Sequence, residues 1–206
     1  MHFAQTNTEA TISTSTCHRT PERNKEELPD FYSIYAGNSD FEDYSFRHTS
    51  SNIFAWSDAH ETNRWANHGV TWKRVKDAFA GHTMFGTNGI TPQDMRQGSI
   101  GNCWFISAAS ALAEVPGRVE KIFLNANNEI SANGIYAVQF YTLGIPHTVI
   151  VDDWLPLKPH NNGEYATLFA KVSEDSAIYG PILEKAFAKY HGNYAHLIGG
   201  QPEMAI

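Results

Sequence analysis

Cys103 is preceded by a polar, glycine-bearing stretch, Gln97-Gly98-Ser99-Ile100-Gly101-Asn102. It opens an apolar run with no glycine or proline before Val115. That pattern predicts a loop feeding a buried helix, with the thiol in the first turn. Asn102 is then the expected N-cap, its side-chain oxygen accepting a free backbone N–H. A thiol at that place meets the positive end of the helix dipole, which favours its thiolate form. The backbone N–H groups around it point toward any anion formed in front of it. Gln97, six positions upstream, can bring a side-chain amide into the same space. A sulfur nucleophile and two donors facing a developing oxyanion are the equipment of acyl transfer. Gly98 and Gly101 would let the backbone approach a substrate closely. The plainer alternative is a helical cysteine that packs like a small hydrophobe.

The chain that must position this thiol has 206 residues, 42% of them hydrophobic and 13% aromatic, enough for one or two domains with a sizeable core. The formal net charge of −7, with no long basic run, argues against nucleic acid as a partner. No apolar stretch is long enough to span a bilayer, and the N-terminus lacks a secretory pattern. Two cysteines, Cys17 in a polar tail and Cys103, make no disulfide framework, so a reducing, cytoplasmic setting is expected.

Residues 1–30 are rich in Thr, Ser, Asn and Glu and are expected to be a disordered tail. Residues 31–70 interleave aromatic rings with Asp, Asn, Ser and His without a regular period. They read as an irregular arm, anchored to the domain by its rings or binding a partner. His60, Glu61 and His68 lack the spacing of a metal site. Residues 71–206 read as the folded core. Trp72, Val75 and Phe79 suggest an amphipathic helix over Thr71–Phe79, and Arg118–Phe123 a short second helix. Ile135–Leu143 and His147–Asp153 form a β-hairpin around Gly144-Ile145-Pro146, after which Trp154–Leu157 leaves as an extended turn. Asp152 and Asp153 are read as turn caps or partners of basic residues. Ile178–Tyr190 is a helix with Pro181 in its first turn and Gly192 as its stop.

Gln-Gly-x-x-Gly-x-Cys-Trp followed by a small-residue helix resembles the active-site segment of papain-like cysteine proteases, whose cysteine signature has this form. The calpain branch is the better match. Val149–Pro156, Leu183–Lys189, and Gly192-Asn193-Tyr194 followed by Gly199-Gly200 are also similar to that family's first protease subdomain, in the same order. The resemblance implies an α+β, mostly helical, papain-like fold. Its cysteine-bearing subdomain would be built on a central helix starting at Cys103, with further helices and a small hairpin. It implies Cys103 as nucleophile of a cysteine-type endopeptidase and Gln97 as oxyanion donor, with protein or peptide substrates. No cofactor is needed for the chemistry. It also implies a calcium site at the side chain of Asp94 and the carbonyls of Gly89 and Thr87. At the place of a further family glutamate stands Ala177, beside Asp175 and Ser176.

In that family the catalytic histidine and asparagine lie in a second, C-terminal subdomain. Papain-type histidines lie roughly 130–150 residues beyond the cysteine, and only 103 residues follow Cys103 here. His147, His160, His191 and His196 match no catalytic motif, and none is expected to be the base. The chain therefore reads as half an active site, stopping before the His/Asn-bearing half: a fragment, a truncated gene product or one piece of a longer open reading frame, with a complementary C-terminal subdomain as a candidate partner. The alternative is a catalytically inactive, calpain-like regulatory or scaffold protein. A redox-sensing thiol is weaker still, since no resolving cysteine lies nearby.

Overall fold

The computed structural model of the chain describes residues 30–49, 69–125, 127–160 and 163–205. The expected tail lies outside them except for Asp30, as do His60, Glu61 and His68 of the arm. The arm's described part opens with helix α1, Phe31–Tyr35, capped by Asp30, whose Oδ1 accepts the Ser33 N–H at 3.3 Å. After it residues 36–49 form turns and bends, with Phe46 sealed in the core beside Tyr194.

Strand β1, Thr71–Arg74, precedes a single helical turn, α2, Val75–Ala78. The expected helix over Thr71–Phe79 is thus half strand. Its three-and-four spacing is real, but pairing with a later strand decides the backbone. That later strand is β4, Trp154–Pro159, and it corrects the extended turn expected at Trp154–Leu157. Thr71 faces Leu157 and Arg74 faces Trp154 in antiparallel register. Pro156 and Pro159 are poor strand residues and obscured the strand in the sequence. Strand β5, Tyr165–Thr167, adds to the other edge of β4, giving the order β1-β4-β5.

The hairpin forms from β2, Ile135–Thr142, and β3, Ile145–Asp152. Its turn is Leu143-Gly144, not Gly144-Ile145-Pro146. Both turn residues have positive φ, 53° and 78°, the geometry of a two-residue primed turn.

Two helices hold the core. Helix α3, Cys103–Ala113, buries Trp104, Phe105, Ile106, Ala108 and Ala109. The short α4, Arg118–Ile122, follows it. Helix α5, Tyr179–His191, is buried from Tyr179 through Ala188, has Pro181 in its first turn, and stops at Gly192 with φ 103°. Phe105 and Phe187 stack at 4.4 Å between these helices, and Phe140 of β2 meets Phe187 edge-on at 5.5 Å. Among the described residues helix accounts for 32% and strand for 22%, so the fold is α+β and "mostly helical" overstates it. Among the described residues no helix is long and apolar enough to cross a membrane.

The two aspartates at the hairpin's end have structural partners, as read from the sequence. Lys185 of α5 bonds Asp152, and Arg74 of β1 reaches Asp153 at 2.6 Å. The arm joins the same network, since Asp43 accepts from Lys189 at 2.9 Å and its N–H donates to Asp152 at 2.8 Å.

Candidate active site

Helix α3 begins at Cys103, and burial alternates sharply there. Asn102 and Trp104 are buried, while the Cys103 thiol between them is free and exposed. Trp104 fixes that register. Its indole N–H donates to the Leu197 carbonyl at 2.8 Å, and Gly200 lies so close that a Cβ there would sit 2.5 Å from the ring. With Trp104 locked inward, Cys103 has to face outward. Its N–H belongs to a first turn whose donors lack intrahelical acceptors.

Asn102 corrects the expected cap. Its side chain caps nothing; Nδ2 instead donates into the core to Glu184 Oε1 at 2.6 Å. Its backbone carbonyl still starts the helix, accepting Phe105 N–H at 3.0 Å and Ile106 N–H at 3.1 Å. A buried carboxyl competes better for an amide donor than a helix N–H does for the amide oxygen.

The loop from Arg96 to Gly101 is laid on the segment from Leu168 to Lys171. Ser99 N–H donates to Leu168 O at 3.0 Å, and Lys171 N–H to Arg96 O at 2.9 Å. A Cβ on Gly98 would fall 1.6 Å from the Phe169 carbonyl oxygen, so this glycine is required by packing rather than by an approaching substrate. Gly101 has only an ordinary 3.7 Å contact to Ile198 and keeps open space. Gln97 is exposed, and its Nε2 donates to Ile100 O at 2.6 Å, which ties the amide to the same loop. One amide N–H remains for another acceptor.

The histidines after Cys103 have other places. His191 Nδ1 meets Phe187 O at 3.0 Å, its ring packs on Phe187, and burial pushes its imidazole down from the ordinary value. His196 Nδ1 lies 2.8 Å from the His191 carbonyl. His147 lies in β3 near Tyr190, and His160 directly follows β4. Among the described residues no imidazole nitrogen hydrogen-bonds to the Cys103 sulfur.

The expected calcium ligands share one loop but do not compose a cage. Asp94 Oδ2 accepts Thr91 N–H at 2.6 Å, as part of the capping box of the 3-10 turn Pro92–Asp94. Asp175 reaches over the loop, yet it receives N–H donors there, from Thr87 and from Asn88 at 3.1 Å, as well as the Ser173 hydroxyl. Those hydrogen bonds, the hydroxyl first, hold its carboxyl below the usual range. Ala177 offers no side-chain oxygen. The side chains here supply few of the six or more oxygens a hard cation needs; the carbonyls of Thr87 and Gly89 are the further oxygens this loop holds.

Sequence reasoning missed Glu184, the partner of Asn102. It lies one position from Leu183 and reads as a solvent-facing charge, yet it is 2% exposed. Its burial pushes its carboxyl up to about 7.

A profile of the calpain family cysteine proteases matches residues 41–206. The chain belongs to the calpain family of cysteine proteases. Calpain-5 of Caenorhabditis elegans is 32% identical over 142 residues, 66% of this chain and 21% of that protein. The catalytic subunit of human calpain-2 is 37% identical over 135 residues, 64% of this chain and 18% of its own length. The calpain-type cysteine protease DEK1 of Arabidopsis thaliana is 36% identical over 115 residues, 56% of this chain and 5% of its own. This calpain-family chain thus spans only a fifth or less of relatives such as the last two, and about a fifth of the first.

Proposed function

We propose that this chain is the nucleophile-bearing half of a calpain-type endopeptidase. The observation that carries the reading is the exposed Cys103 at the head of a helix whose flanking residues are both buried. The Cys103 sulfur attacks a peptide carbonyl. The Gln97 amide and the Cys103 N–H face the oxygen as it gains charge; the peptide C–N bond then breaks, the amine leaving with the proton taken from the thiol, and water hydrolyses the thioester to the acid and the free thiol. The thiol proton passes to an imidazole outside the described residues, on a complementary segment that also supplies an orienting asparagine. A free thiol nucleophile suits a reducing, intracellular compartment.

The test is turnover of a fluorogenic peptide by the 206-residue chain, with and without calcium. Negligible turnover in both is expected. Cys103-dependent turnover at protease-like rates by the chain alone would overturn the half-site reading.

A further inference from the structure

Glu184 lies on α5, beneath the start of α3, and its two carboxyl oxygens serve two different parts of the site. Oε1 accepts Asn102 Nδ2–H at 2.6 Å, and Oε2 accepts Ala170 N–H at 2.8 Å. Asn102 carries the carbonyl on which α3 begins. Ala170 follows Phe169, against whose carbonyl Gly98 of the Gln97 loop is pressed. One buried side chain therefore holds both the nucleophile's neighbour and the backbone beneath the oxyanion donor. A purely space-filling role would suit an apolar residue better, since burying a carboxyl is costly.

The pair also has a second arrangement built in. Asn102 Oδ1 is buried and has no hydrogen-bond partner. A protonated Glu184 can donate to an amide oxygen at Asn102 while its other oxygen keeps the Ala170 N–H. The surroundings leave this exchange to Glu184 itself. Leu155 and Pro156 of β4, Thr167 of β5 and Pro181 of α5 line the small cavity beside it and carry no charge. Tyr194 is the other titratable group there, and burial first, then the Glu184 charge, keeps its hydroxyl protonated. Lys185 points away, to Asp152 and the Trp154 carbonyl.

We propose that Glu184 is a positioning residue for Cys103: through Asn102 and Ala170 it holds the head of α3 and the Gln97 loop in one register, and its protonation exchanges the hydrogen bond it shares with Asn102. The proposal rests on Cys103 as the working nucleophile, but its test needs no peptide hydrolysis, so the two can fail separately.

In the 15N-labelled 206-residue chain, the Cys103 backbone amide and Asn102 side-chain amide resonances should titrate together between about pH 6 and 8. In Glu184→Gln, which satisfies both partners without ionising, they should stay still. Iodoacetamide should alkylate Cys103 of folded Glu184→Ala several-fold more slowly than the parent, with Glu184→Gln restoring the rate to within about twofold at pH 6. Asn102→Asp, which sets a second carboxyl against Glu184, should move the titration to higher pH, and Asn102→Asp/Glu184→Gln should remove that displacement. These variants decide the matter if Glu184→Ala does not fold. Resonances that stay still in the parent, that titrate equally in Glu184→Gln, or that titrate unchanged in Asn102→Asp would overturn the proposal. So would folded Glu184→Ala alkylating at the parent rate.

Discussion

At Gly98 the absent side chain is occupied by the Phe169 carbonyl. Gly98→Ala must therefore push the Gln97 loop off the segment it lies on, at a cost of about 1–3 kcal/mol or more. A urea melt should show this directly. Gly101→Ala, where a Cβ meets only Ile198, should cost far less. Gln97 is different in kind, since it is exposed and tied to Ile100 O by one amide N–H. Gln97→Ala should leave the fold intact and lower kcat of the completed enzyme by about 10²–10³, the usual effect of removing one oxyanion donor. A variant with unchanged kcat would take Gln97 out of that role. Cys103 and its place at the head of a helix were legible from residue types and spacing. The Asn102–Glu184 pair was not, because no local pattern in a helix shows which neighbour its polar residue will meet.

The elements around the site divide the same way. Helices α3 and α5 and the hairpin carry their own signals: apolar periodicity, proline in a first turn, a stopping glycine, β-branched runs. Strands β1 and β4 do not, because they exist through pairing between residues far apart in the chain, Thr71 with Leu157 and Arg74 with Trp154, and β4 is interrupted by prolines; β5 is only three residues long. The ion pair between β1 and the hairpin's end is the sharpest case. Arg74 is 6% and Asp153 0% exposed by side chain, so Arg74→Ala would leave a carboxyl buried without its partner. Loss of about 3–5 kcal/mol is expected from chemical denaturation. The hairpin turn offers the opposite experiment. Leu143 holds a φ of 53° while 83% exposed, a poor choice for a primed turn. Leu143→Asn should raise stability by about 1 kcal/mol and leave Cys103 alkylation unchanged. A lower melting temperature would contradict the turn geometry.

For the molecule as a whole, Glu184 links stability to pH. Burial raises its carboxyl from 4.5 to about 7, so the folded chain holds that proton more tightly than the unfolded one. Its contribution is complete below pH 4.5 and declines as the pH rises to about 7. The decline amounts to about 3 kcal/mol. Urea midpoints at pH 5 and 8 should therefore separate for the parent and draw together in Glu184→Gln. Parallel behaviour of the two proteins would remove Glu184 as the cause. Calcium should leave the melting temperature where chelator leaves it, because Asp94 and Asp175 already receive the loop's own donors. A rise of several degrees would reveal an ion that the folded state binds. Family membership and the α+β class follow from the whole chain's pattern, whereas the base that partners Cys103 does not, since no described imidazole after it hydrogen-bonds to that sulfur. The most direct measurement of that central claim is peptide turnover by this chain joined in frame to a calpain subdomain bearing the histidine and asparagine. Protease-like turnover that vanishes in Cys103→Ala and is absent from either piece alone is expected. Equal turnover in Cys103→Ala, or none from a folded fusion, would contradict it.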